Sequence, residues 1–255
     1  MVDAPLFVRL AAHPLRWRLL TELATSDYRV RELTESVGQS QNLVSYHLRL
    51  LRSGGLVWAR RSSFDGRDSY YHLDLDRCAD ALTTAGKALH PALGLGPLPP
   101  PTVLDGRRGR PRVLFACTGN SARSPIAEAL LRHRTDGHVE ATSAGSHPKP
   151  RIHPHAVRVL RDEFGIDIAG QHPRPLDTVA DGRFDYVITL CDKVREIYPD
   201  SGDQQRPVHW SIPDPAAVGD NGRASYPAFT RVAAEIDNRI RHLLPLLATN
   251  RTPGG

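Results

Sequence analysis

At 255 residues, 40% of them apolar, the chain has the length of one large domain or two ordinary ones, and its proline and charge patterns divide it in two. No apolar run approaches a membrane span, and Arg9, His13 and Arg16 interrupt the segment where a signal peptide would carry its apolar core, so a cytoplasmic protein with no membrane partner is expected. Cys78, Cys117 and Cys191 are too few and too scattered for a disulfide framework or a CxxC zinc site, no metal site is expected, and a net charge of +5 points weakly to an anionic partner.

In the N-terminal part Leu6, Leu10, Leu15, Leu19, Leu20 and Leu23 recur at helical spacing, with His13-Pro14 breaking the run in two. A helix is predicted over residues 29–37, stopped by Gly38. Another runs from near Ser40 to Gly54-Gly55, with Leu43, Val44, His47, Leu48 and Leu51 on one face. Helix, glycine turn, helix is the helix-turn-helix pattern. Residues 56–61 and 69–75 then read as two strands around Asp65-Gly66, a dipeptide with hairpin chemistry.

This hairpin reads as a wing carrying Arg60, Arg61 and Arg67, suited to phosphates or a minor groove. The second helix turns Gln41, Asn42, Ser45, Tyr46 and Arg49 away from its apolar face, donor-rich side chains of the kind that read base edges. In isolation the three wing arginines would be an ordinary solvated hairpin; the order of elements is what points to DNA. The stretches Ala12-His13-Pro14-Leu15-Arg16 and Ser40-Gln41-Asn42-Leu43-Val44-Ser45-Tyr46-His47-Leu48-Arg49-Leu50-Leu51 resemble winged-helix repressors of the ArsR type, over about residues 5–82. That resemblance implies an operator DNA partner and a homodimer formed through the N-terminal domain, with a dimerisation helix over about residues 76–89. Arsenite-sensing members often carry paired cysteines where this chain has Arg31-Glu32-Leu33-Thr34. Cys78 by itself cannot supply the two or three thiolates a soft ion needs, and reads as a buried cysteine of the dimerisation helix.

Residues 91–111 are rich in proline, glycine and arginine and form a predicted linker, between a DNA-binding domain over residues 1–90 and a catalytic domain over residues 112–250. Val113-Leu114-Phe115-Ala116 reads as a strand, a polar loop begins at Cys117, and Ser124 is expected to cap a helix whose first residue is Pro125. Such a loop is an anion site. The backbone N–H groups of Thr118, Gly119, Asn120, Ser121 and Ala122 converge there, the helix dipole adds positive potential, and Arg123 can clamp two oxygens of a tetrahedral oxyanion. The same field is expected to make Cys117 a thiolate nucleophile. Further strands over 139–144, 184–190 and 208–212 alternate with helices over 125–134, 154–164 and 226–247, which implies a parallel sheet with ligands beyond its strand ends.

Cys117 to Ser124 fits the Cys-x5-Arg-Ser loop of low-molecular-weight protein tyrosine phosphatases and of the arsenate reductases that share their fold; the resemblance covers about residues 112–247 and implies a four-stranded parallel sheet of that type. Cys191 follows a predicted strand and is either a packed thiol or, as in the reductase branch, a resolving cysteine. Asp214-Pro215 is by itself a turn; the resemblance makes Asp214 the acid that protonates the leaving oxygen, and Ala216 stands where phosphatases tend to have an aromatic. The expected catalytic set is Cys117, Arg123, Ser124, Cys191 and Asp214, with Ser121 and Ser124 holding the thiolate. The expected reaction is arsenate reduction with no bound cofactor and an external thiol reductant, thioredoxin or a mycothiol- or glutaredoxin-type donor. No third cysteine follows in Arg195-Glu196-Ile197-Tyr198 to form a relay. Two alternatives stay open: a tyrosine phosphatase joined to a DNA-binding domain, and a repressor that senses oxyanions or redox state without turnover.

Overall fold

A computed structural model describes residues 4–64, 66–90, 93, 110–179, 182–197, 208–217 and 222–249. The chain divides into two compact units, residues 1–100 and 101–255. Most of the predicted linker, and Asp65 of the predicted hairpin turn, lie outside the described residues.

In the first unit, α1 (Leu6–Ala11) and α2 (Pro14–Thr25) meet at His13, whose ring accepts the N–H of Leu15 and so caps α2, with Pro14 at its first position. β1 (Tyr28–Arg29) leads into α3 (Val30–Val37), which ends at Gly38 with φ +63°, a left-handed stop that glycine adopts without penalty. α4 (Gln41–Ser53) follows after a short turn, then β2 (Val57–Arg61) and β3 (Ser69–Leu73) form an antiparallel hairpin with Trp58 opposite His72 and Arg60 opposite Tyr70. β1 adds to β3, giving the sheet order β1-β3-β2. Sequence reading missed β1, since two residues carry no periodicity. α5 (Leu75–Leu89) closes the unit, with Asp74 capping it through Arg77 N–H. Leu19, Leu33, Val44, Leu48 and Leu51 form the core beneath the helices. Leu43, expected on the apolar face, is exposed at the rim of the stripe, whereas Val44, Leu48 and Leu51 are fully buried.

The second unit is a parallel sheet of order β5-β4-β6-β7 among the described residues, built from β4 (Arg112–Cys117), β5 (Glu140–Gly145), β6 (Tyr186–Thr189) and β7 (Val208–His209). α6 (Arg123–Arg134), α7 (Pro154–Phe164) and α9 (Gly222–Thr249) accompany it, and Phe115, Ile126, Leu130, Leu160, Ile188, Phe229 and Ile236 are wholly buried in one core. A short α8 (Asp192–Ile197), which the sequence did not suggest, starts right after Cys191. β7 stops at His209 instead of Ile212: β6 ends at Thr189, whose carbonyl accepts the Trp210 N–H at 2.9 Å, so among the described residues Ser211 and Ile212 have no strand beside them.

Parallel register places Cys117 opposite Gly145 and Ala116 opposite Thr189, so the loops after β4, β5 and β6 leave the sheet at one edge. Among the described residues no helix is long and apolar enough to cross a membrane.

Candidate active site

The loop after Cys117 is tied from outside by the segment that follows β5. Ser146, His147, Lys149 and His153 donate their N–H groups to the carbonyls of Cys117, Thr118, Gly119 and Ser121, at 3.1, 2.8, 2.9 and 2.8 Å. In a trans peptide the next N–H points opposite to the carbonyl, so these four bonds turn the N–H groups of Thr118, Gly119, Asn120 and Ala122 to the concave side. That of Asn120 lies 3.3 Å from Cys117 Sγ. The resulting cradle can hold an oxyanion by backbone donors. Gly145 permits this close approach: a methyl there would stand 2.7 Å from Thr118 O and 2.8 Å from Asn120 N. Gly145→Ala is therefore expected to cost about 1–3 kcal/mol of stability and to weaken oxyanion binding, read by thermal unfolding and by phosphate protection of Cys117 against alkylation.

Ser124 does not cap the helix. α6 begins at Arg123, with Ala122 in the flanking position and no side-chain cap, and Ser124 Oγ is turned onto Cys117 Sγ at 3.0 Å. Helix dihedrals already hold at Ser124, so its side chain points back over the loop instead of onto the first-turn N–H groups. Ser121 makes no hydrogen bond to the thiol among the described residues; its carbonyl accepts the His153 N–H at 2.8 Å.

Asn120, fully buried at φ +43°, is a brace from inside the loop. Its Oδ1 accepts Arg174 N–H at 2.6 Å, which fixes the amide so that Nδ2 donates to Ser124 Oγ at 3.0 Å and Ser143 Oγ at 2.9 Å. With its oxygen accepting from Asn120, Ser124 keeps its hydrogen for Cys117. Ser143 donates to Glu128 Oε2 at 2.6 Å, and Glu128, 1% exposed, also takes Arg174 at 2.7 Å and Arg132 at 2.9 Å. Sequence reading missed Glu128, Ser143 and Arg174. The available signal was a carboxylate inside an otherwise apolar run, Ile126, Ala127, Ala129, Leu130 and Leu131, that leaves the helix no polar side there.

Arg123 is 5% exposed; Nη1 donates to Ile212 O at 3.1 Å and Nη2 to Asp214 Oδ2 at 3.0 Å. Asp214 is half-exposed and accepts Ala216 N–H at 3.0 Å on its other oxygen. Cys191 Sγ lies 3.2 Å from the hydroxyl of Thr118, the residue beside Cys117, and is buried. Burial pushes the Cys191 thiol up and Cys117 adds to that, while Arg123, the Thr118 hydroxyl and the Val194 N–H pull it back. The structure thus brings Cys117, Arg123, Ser124, Asp214 and Cys191 to one edge of the sheet, with Thr118 between the two thiols.

Residues 112–252 match the family model described as low molecular weight phosphotyrosine protein phosphatase. The chain belongs to that family. Residues 13–58 match the model for bacterial regulatory proteins of the arsR family, so this phosphatase-family member carries an ArsR-type helix-turn-helix region ahead of its catalytic-type domain. It is 33% identical over 129 residues to an arsenate reductase of Halalkalibacterium halodurans, covering 51% of this chain and 91% of the relative. An arsenate reductase of Brevibacillus brevis is 34% identical over 129 residues, 51% of this chain and 90% of the relative. A glutaredoxin arsenate reductase of Synechocystis is 31% identical over 133 residues, 52% and 95% respectively.

On the helix-turn-helix unit, α4 exposes Gln41, Asn42, Tyr46 and Arg49, with Ser45 half-buried. Arg61 and Arg67 are exposed on the hairpin. Arg60 lies over the Trp58 ring at 4.7 Å, Trp58 packs on His72 at 4.3 Å, and His72 meets the buried Asp27 at 2.7 Å. Cys78 is packed into the core of this unit and its thiol is pushed up to about 11 by burial and the nearby Asp74, an inert setting for a thiol.

Proposed function

We propose that the chain binds an operator through its N-terminal unit and reduces arsenate to arsenite in its C-terminal unit. The observation that carries the second half is the second thiol: Cys191 sits against Thr118 at the mouth of the Cys117 loop, where a phosphatase needs no cysteine.

In this reading arsenate is held by the loop N–H groups and Arg123. The Cys117 thiolate attacks arsenic, and Asp214 gives a proton to the departing oxygen, which leaves as water. Cys191, as thiolate, then attacks Cys117 Sγ: a sulfur–sulfur bond forms, the sulfur–arsenic bond breaks, and its electron pair takes arsenic from As(V) to As(III). Arsenite leaves and a Cys117–Cys191 disulfide remains. An external dithiol of the thioredoxin type, or a glutaredoxin- or mycothiol-type donor, returns two electrons. Ser124, oriented by Asn120, is the hydrogen-bond donor to Cys117.

The test is arsenite release from arsenate with each donor in turn, beside hydrolysis of a phosphotyrosine analogue, for the wild type and Cys191→Ser. Donor-dependent arsenite is expected, with thioredoxin-supported turnover lost in Cys191→Ser. Phosphate release without arsenite, indifferent to Cys191→Ser, would establish instead the phosphatase reading that the family description favours. DNA release by arsenate without any product would leave the unit a sensor.

For the N-terminal unit, the exposed donors of α4 and the arginine-bearing hairpin support operator binding. Exposed Leu82 and Leu89 of α5, against which α1 packs with its own exposed Leu6 and Val8, support a homodimer. Arg49→Ala is expected to cost about 1–3 kcal/mol of operator affinity and to relax sequence preference. A salt titration that finds only uniform weakening across sequences would place Arg49 on phosphate.

A further inference from the structure

The segment that ties the loop from outside also lays a cation across it. Lys149 donates its N–H to Gly119 O at 2.9 Å, and its side chain then runs over Gly119: a methyl added there would meet Lys149 Cγ at 3.2 Å and Cε at 3.9 Å. Lys149 is exposed, and no carboxylate pairs with it among the described residues. No acidic residue occurs between Glu140 and Asp162, whereas Lys149 and Arg151 both lie there.

The charges inside the site make such a cation consequential. Arg123, the cation within the cradle, already shares its charge with Asp214 and gives its other nitrogen to Ile212 O. When Asp214 carries the proton that it gives up in the proposed reaction, a tetrahedral dianion entering beside Cys117 meets one guanidinium, which leaves its second negative charge without a charged partner. We infer that Lys149, whose stem lies along Gly119, is that partner: an affinity-determining residue that makes the loop select doubly charged oxyanions, arsenate and inorganic phosphate. This inference rests on the oxyanion site proposed above and names the charge state that the site takes.

Two readouts separate the inference from the reductase reading. One is the phosphate concentration that half-protects Cys117 from iodoacetamide in the full-length protein, which needs no turnover. The other is steady-state arsenite formation. Lys149→Met is expected to raise both the half-protecting concentration and KM roughly tenfold, the size of one partly solvated charge near an anion, with kcat changed by less than about twofold. Lys149→Arg should recover most of that loss, and added salt should weaken the wild type more than Lys149→Met. Arg151→Met, which removes an equal charge from the same exposed segment, should shift protection by less than about twofold. Unchanged protection in Lys149→Met, or an equal loss in Arg151→Met, would overturn the assignment. If the wild type yields no arsenite, the reduction reading fails while the protection series still decides the role of Lys149.

Discussion

Cys117→Ser is expected to lower arsenite formation by at least about three orders of magnitude while phosphate still binds. The substitution exchanges one atom inside an intact cradle: the Asn120 N–H and the Ser124 hydroxyl at 3.3 and 3.0 Å would face an oxygen instead of a sulfur. A serine ester of arsenate has no sulfur for Cys191 to attack, so no electron pair can reach arsenic and the redox step is closed. Retained turnover would move the chemistry to Cys191.

The pH dependence of the second step separates the two thiols further. Because burial holds the Cys191 thiol above its ordinary value, it is protonated at neutral pH. Disulfide formation after a single arsenate turnover should then accelerate about tenfold per pH unit on the alkaline side of neutrality, as the thiolate fraction rises. Rapid acid quench with mass analysis of the disulfide measures it; a flat profile would mean that the attack does not wait on deprotonation of Cys191.

The second large effect is expected far from any substrate atom. Glu128→Ala should cost about 2–3 kcal/mol of stability and lower kcat/KM by roughly ten- to a hundredfold. Glu128 is buried, but its partners Arg132 and Arg174 are half-exposed and can be re-solvated, which keeps the stability loss below that of a fully buried pair. The activity loss follows from connectivity: Glu128 holds Ser143 and Arg174, both hold Asn120, Asn120 holds Ser124, and Ser124 touches Cys117. Thermal unfolding and steady-state kinetics measure the two separately. Lost stability with unchanged kcat/KM would show that these bonds hold the domain and not the thiol.

What could be read from residues alone was what lies close in the chain. Cys117 to Arg123 is one continuous turn, so nucleophile, glycine and guanidinium were legible as a unit. Gly38, at φ +63°, marked a helix end because the left-handed conformation is a local cost that glycine avoids. The helix-turn-helix order and the leucine stripes of the first unit were legible for the same reason, although Leu43 at the stripe's edge was not.

Everything that needed strand order was decided by the tertiary structure. Asp214 reaches Arg123 across 91 positions, and Arg174 reaches Asn120 across 54. No spacing rule carries such pairs, because they depend on β5, β4 and β6 lying side by side in parallel. The same placement took Ser124 from the helix cap its local sequence favours: with Asn120 pinned by Arg174 and Ser143, its hydroxyl is drawn to the sulfur. Local sequence set which groups exist at the loop; the sheet set where their hydrogen bonds end, since a buried donor or acceptor must find whatever partner the fold brings within reach.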